Sequence, residues 1–154
     1  MRGDGLAIAG LVLGYLGAVP VLLIIAAIAI PNLLRARMAA NESAAVASVR
    51  SIIVAEATYS QSHPQAGYTC SLSDLDQLID RELASGRKYG YVFELTGCSA
   101  GPEGGANVKY QVLAYPMTVN QTGMRAFCSD ESAAIKTDSR GSTQSCLENG
   151  SPLK

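Results

Sequence analysis

Hydrophobic and polar positions divide this chain into three stretches. From Gly5 to Leu34 no side chain is charged. Gly5 to Ile30, GLAIAGLVLGYLGAVPVLLIIAAIAI, covers about 39 Å as a helix at ~1.5 Å per residue, more than a ~30 Å hydrocarbon core. A secretory signal peptide has a shorter apolar core and a small-x-small cleavage site, so this run predicts a retained membrane helix. The rest of the chain is too short to cover it on all sides as a buried core helix. Gly10, Gly14 and Ala18 recur at every fourth position on one face. Small residues at that spacing let a second helix approach closely in lipid, although the same residues are common in membrane helices that pair with nothing. Pro20 and Pro31 each remove an N–H and crowd the preceding turn, which predicts local kinks or unwinding.

The second stretch, Asn32 to Ser60, is Ala-rich and lacks Gly and Pro. It mixes Arg35, Arg37, Glu42, Arg50 and Glu56 with apolar positions. Val46, Val49, Ile53 and Ala57, with Ile52 alongside, fall at helical spacing and form one apolar stripe. The helix is therefore expected to leave the membrane as an amphipathic stalk and to stop before Pro64, because Ser62-His63-Pro64 suits a helix poorly. The organisation predicted is a transmembrane helix over 1–34, a stalk over 35–62 and a polar head over 63–154.

In the head, Ser71-Leu72-Ser73-Asp74 has the form of a capping box. Leu75, Leu78, Ile79 and Leu83 fit a short helix after it, closed by Ser85-Gly86. Runs rich in β-formers follow at Tyr89 to Leu95, Val108 to Tyr115 and Met124 to Phe127, with a fourth candidate at Ala133 to Thr137. Ser99 to Ala106 is a Gly-rich hairpin loop. It leads into a strand and not a helix, so it is no phosphate cradle. The fold expected is α+β, with a small antiparallel sheet packed on the stripe of the stalk.

The stretch Leu22 to Ile52, LLIIAAIAIPNLLRARMAANESAAVASVRSI, resembles the N-terminal helix of type IV pilins and of the related pseudopilins of type II secretion. Its centre is Ala26-Ala27-Ile28-Ala29-Ile30-Pro31-Asn32-Leu33-Leu34. The resemblance implies a pilin-like fold and self-association, with apolar helices bundled into a filament core and heads outside. Family members carry a basic leader ending in Gly and a glutamate as fifth mature residue. Counting back from Pro31 puts the mature start at Gly10 and the glutamate at Gly14; a cut after Gly5 leaves Gly10 in the glutamate position. No acidic residue lies between Asp4 and Glu42, so neither the usual processing site nor the usual charge pairing is expected. Gly3 to Gly17, GDGLAIAGLVLGYLG, looks instead like a helix of a small Gly/Leu-rich membrane domain of unknown function.

Composition sharpens the picture. The chain has 154 residues, 48% hydrophobic and 16% charged, with net charge −1. The head has no basic excess, so nucleic acid is not an expected partner. Its four cysteines, Cys70, Cys98, Cys128 and Cys146, form no C-x-x-C and accompany a single histidine, which argues against zinc. An even number in a small head favours two disulfides outside the cytoplasm, with three pairings open. The preferred set is Cys70–Cys98 and Cys128–Cys146. The second closes a C-terminal loop of about 19 residues, worth roughly 3 kcal/mol in the chain-entropy treatment, and resembles the disulfide-bounded C-terminal region of pilins.

Arg35 and Arg37 after the helix would place the head inside by basic-residue counting; the cysteines place it outside and are given the greater weight. His63, before a proline, reads as a solvated polar residue. Asp130, Glu131 and Asp138 are calcium candidates only through likeness to major pseudopilins, and a solvated hairpin is the alternative. Arg2-Gly3-Asp4 spells an adhesion tripeptide, read here as coincidence. No nucleophile–base pair or cofactor motif is recognised, so no catalysis and no cofactor are expected. The expectation is a structural subunit of a pilus-like filament, resident in the inner membrane with its head in the periplasm, or extracellular after assembly. The alternatives are a permanently anchored monomeric binding or sensor module, or a pseudopilin of a type II secretion system. Non-reducing peptide mapping is expected to recover two cross-linked pairs, with no cysteine alkylated before reductant is added.

Overall fold

The computed structural model describes residues 4–102 and 104–153; Arg2 and Gly3 of the tripeptide lie outside them. Helix α1 spans Asp4–Ser62, 59 residues, with Pro20 and Pro31 inside it. The unwinding expected at the prolines does not occur. Each proline deletes one i→i−4 hydrogen bond, and the bonds of neighbouring residues keep the turn. The helix stops before Pro64, where the His63 amide donates to the Tyr59 carbonyl at 2.9 Å.

By its contacts the chain forms two compact units, Met1–Ala36 and Arg37–Lys154. In the first, the large apolar residues from Ile8 to Leu34 are exposed. The segment is long and apolar enough to cross a bilayer, and none of its most apolar window is buried within the chain.

The second unit is built on the remainder of α1. The strands are β1 (Arg87–Lys88), β2 (Tyr91–Ala100), β3 (Asn107–Pro116), β4 (Ala126–Asp130), β5 (Lys136–Asp138) and β6 (Ser151–Pro152). They form one sheet in the order β1-β2-β3-β4-β5-β6, and every pairing is antiparallel. The fold class is thus α+β, a helix on an antiparallel sheet.

The buried face of the stalk differs from the expected stripe. Ala45, Val49, Ile52 and Ala55 are buried, Val46 and Ile53 are half-buried at its margin, and Ala57 is exposed. The stripe therefore turns away from Ala57, and Glu42 and Glu56 lie on its buried side. Against it pack Tyr91, Phe93, Tyr110, Val112, Ala114 and Phe127 from the sheet, with Leu72, Leu75, Ile79 and Leu83 in the same cluster. The alternate residues Leu113 and Cys128 point to the other face, where they meet Cys146 and Leu147 of helix α3 (Thr143–Asn149). Burial on both faces is why β4 reads Ala-Phe-Cys-Ser without polar alternation.

Two local expectations need correction. The single short helix after Ser71 is a 3₁₀ turn, Leu72–Leu75, followed by a separate helix α2, Arg81–Ala84. Ser71 makes no capping hydrogen bond; its hydroxyl pairs with that of Ser73. The cap is Asp80, whose carboxylate accepts from the Leu83 amide at 3.1 Å, and Lys88 holds its other oxygen at 2.6 Å. The cysteine-bounded loop ends inside α3, whose Ser142 cap accepts from the Ser145 amide at 3.3 Å.

The phase of the stripe is testable. Ala55→Leu forces side-chain volume into a packed face and is expected to cost about 1–3 kcal/mol. Ala57→Leu, on solvent, is expected to stay within about 0.5 kcal/mol. Denaturant unfolding of the two variants measures the difference.

Candidate functional site

Glu42, Ala45, Val49, Ile52 and Glu56 follow alternating steps of three and four, so one helix face carries an apolar centre with a carboxylate at each end. At ~1.5 Å per residue the two acids stand about 21 Å apart along the axis. Each reaches a different part of the head.

Glu42 grips the loop between β3 and β4. Its Oε1 accepts from the amides of Met124 at 2.9 Å and Arg125 at 3.2 Å. Its Oε2 accepts from Arg125 Nε at 2.8 Å and meets Arg125 Nη2 at 2.7 Å. A carboxylate with both oxygens so engaged is cheap to bury. Asn41, one residue earlier, donates through Nδ2 to the Thr122 carbonyl at 2.9 Å. The buried Tyr91 hydroxyl donates to the Arg125 carbonyl at 2.9 Å, and burial, with the Glu42 charge, pushes this phenol up. Gly123 completes the fit, since a Cβ there would collide with the Tyr91 ring.

Glu56 is less well served. Its Oε2 accepts from the Thr69 amide at 3.0 Å, while Oε1 is buried with no hydrogen-bond partner. Burial pushes the carboxyl up to about 7, Thr69 pulls it down and Asp74 adds to the rise. Asp74 in turn accepts from Thr69 Oγ1 at 2.7 Å. Cys70, next to Thr69, is bonded to Cys98 at the far part of β2, and Cys128 on β4 is bonded to Cys146 on α3. The first disulfide ties the Glu56 loop to the sheet. The second pins α3 to the back face.

The expected assembly residues Gly10, Gly14, Ala18, Pro20 and Pro31 all lie on the exposed apolar part of α1. A Cβ added at Gly10 or Gly14 meets nothing within 4 Å, so the packing of the single chain does not require glycine there. The calcium candidates are not brought together. Asp138 pairs with Ala126 at one end of β4 while Asp130 is the last residue at the other, about 14 Å apart at ~3.4 Å per residue. Asp138 accepts from the amides of Arg140 and Ser142. Asp130 accepts from Ser132, which holds its carboxyl below the usual range. Among the described residues no three or more metal-capable side chains gather.

A cavity of about 460 Å³ is lined by Ser62, His63 and Asp74, with Tyr59 and Leu78. These are the residue types of a hydrolytic triad, but the geometry is not one. Ser62 donates to the Thr58 carbonyl, His63 stacks on Tyr59 with ring centroids 4.2 Å apart, and Asp74 is held by Thr69. Glu42, Arg125, Glu56 and Thr69 were absent from the sequence-based candidates; the only local signal was two acids in register with an apolar stripe.

Below its usual pKa an unfolded Glu56 is protonated, and so is the folded one. Between about 4.5 and 7 the folded carboxyl retains its proton while the unfolded one loses it. Stability from this group is therefore complete below pH ~4.5 and is lost as pH rises through about 7, a change on the order of 3 kcal/mol. Glu56→Gln is expected to flatten that part of the stability–pH curve and to stabilise the head at pH 8. Denaturant titrations across this range measure it.

The exposed apolar helix suits membrane anchoring, and the two disulfides suit a head outside the cytoplasm. No protein family, no curated protein and no solved structure matches this chain; its likeness to pilins is one of elements, a long helix with an apolar N-terminal part and an antiparallel six-stranded sheet.

Proposed function

We propose that this chain is a structural subunit of a type IV pilus-like extracellular filament, assembled through its apolar helix with the disulfide-bonded head at the surface, and that it performs no catalysis. The observation that carries the reading is the apolar stretch of α1, whose large side chains are exposed from Ile8 to Leu34. Such a surface is stable in lipid or against other helices of its kind. The open small-residue face at Gly10, Gly14 and Ala18 supports the second arrangement. The resemblance of Leu22 to Ile52 to the pilin helix supports it independently. Ser62, His63 and Asp74 each bonding elsewhere supports the absence of catalysis.

A second reading, a permanently anchored monomeric binding or sensor module, is favoured by one feature. No acidic residue lies between Asp4 and Glu42 to register one helix against the next. A pseudopilin role in secretion shares the helix and the head. Mechanical shearing of cells, followed by intact-mass measurement of the released and membrane fractions, separates these readings. The filament reading expects the chain in sheared fibres. Recovery only in membranes, starting at Met1, would sink it in favour of the anchored monomer.

A further inference from the structure

Three turns meet at one end of the sheet. They are the β1–β2 turn at Tyr89-Gly90, the β3–β4 loop over 117–125 and the β5–α3 turn over 139–142. The Met117 amide donates to the Gly90 carbonyl at 2.9 Å. Gly90 sits against Thr122 and Asn41, and Gly141 against Met124 and Val119. Glu42 and Asn41 hold this cluster to α1 through Arg125 and Thr122.

The cluster exposes apolar side chains that a soluble turn does not need. Tyr89 is 56% exposed, Met117 51%, Val119 48% and Met124 47%. Tyr89 is also conformationally expensive. It has φ 49° ahead of Gly90 at φ 74°, a two-residue hairpin turn in which Asn or Gly would fit without strain. Within the head the ring meets the Lys88 ammonium, 5.1 Å from its centroid, and the rest of this amphipathic surface is open to a contact from outside. The charges are complementary to an anion. Glu42 is taken up by Arg125, Asp80 by Lys88, and Asp138 by the Arg140 and Ser142 amides and, at 3.9 Å, by the Arg140 guanidinium. Arg87 is exposed, and so is Arg140, at 78% of its side chain.

The chain itself limits where this end can be. Asn41 follows Leu34, the last residue of the uncharged run, by seven positions. Seven residues reach at most about 25 Å however the chain runs between them, and Arg35 and Arg37 lie in that tether. We propose that the turn cluster of Tyr89, Met117, Val119 and Met124, with Arg87 and Arg140, is a membrane-contact surface that rests in the anionic headgroup layer of the bilayer holding the apolar helix. Tyrosine and methionine insert at the level of the interface and the arginines meet lipid phosphates. The inference rests on the membrane-anchored reading of α1, which the filament and the monomer share before any assembly.

The chain contains no tryptophan, so single-tryptophan variants of the full chain report on the contact. Val119→Trp and, as a second probe, Met117→Trp mark the cluster. Val108→Trp, also at an exposed site, marks the opposite end of the sheet, and Leu16→Trp marks the apolar helix. The variants are reconstituted in vesicles of phosphatidylcholine and phosphatidylglycerol containing brominated lipid. Both cluster probes are expected to be quenched at least about three-fold more than Val108→Trp. Arg87→Glu with Arg140→Glu is expected to reduce that quenching, and so is removal of phosphatidylglycerol. If Leu16→Trp is quenched while both cluster probes match Val108→Trp, the contact surface is overturned and anchoring stands. An unquenched Leu16→Trp overturns anchoring itself. Cluster emission that shifts with the protein-to-lipid ratio, without lipid quenching, assigns the surface to a second copy of the chain and overturns the lipid contact.

Discussion

The stalk face of Ala45, Val49, Ile52 and Ala55 must be kept from water, and the head is arranged around that requirement. Two alanines flank the larger Val49 and Ile52 in the buried cluster. Tyr91, Phe93 and Phe127 supply the bulk that fills the space from the other side. Central strands β3 and β4 carry this contact and pass their alternate residues to the back face, where α3 and the Cys128–Cys146 bond cover them. Removing the stalk would uncover much of the cluster it shares with Tyr91, Phe93, Val112 and Phe127, so the second half of α1 is as much a part of the head as any strand.

The two ends of that contact are held by different chemistry. At Glu42 the helix meets a carboxylate clamp in which both oxygens are engaged by two amides and a guanidinium. At Glu56 one oxygen is engaged and the other is buried without a partner. The first end therefore holds the loop that supplies its donors, and the second is strained electrostatically whenever the carboxyl is ionised. The Cys70–Cys98 bond lies beside the less satisfied end. A covalent tie there keeps Thr69 in reach of Glu56 when the charge favours letting water in.

The two parts of α1 differ in what they present. From Gly5 to Leu34 it carries no charge, and from Ile8 its large apolar side chains are exposed; beyond Arg37 one face is committed to the sheet and the other carries Arg50, Ser51 and Thr58 to water. The proposed filament would assemble through the first part and present the second as its surface. The turn cluster next to Asn41 belongs to the same logic, since it is the end of the head closest along the chain to the apolar run.

The uncharged run, the helix end before Pro64, the even cysteine count and the α+β class were legible in local pattern, because each depends on neighbours within a few turns. The phase of the stripe was not. Periodicity counts apolar residues and treats Glu42 and Glu56 as solvent-facing, so it placed Ala57 inside where the structure buries Ala55. A carboxylate is buried only if donors from elsewhere meet it, and those of Glu42 come from residues more than eighty positions away. The α2 cap shows the same limit at shorter range: Ser71 has the right composition, but Asp80 has the right position relative to Leu83 and Lys88. Sequence alone determined which segments avoid water and how many cysteines bind them. Tertiary structure alone decided which acids share the apolar face, because the free energy of burying a charge is set by partners that only the fold brings within hydrogen-bonding distance.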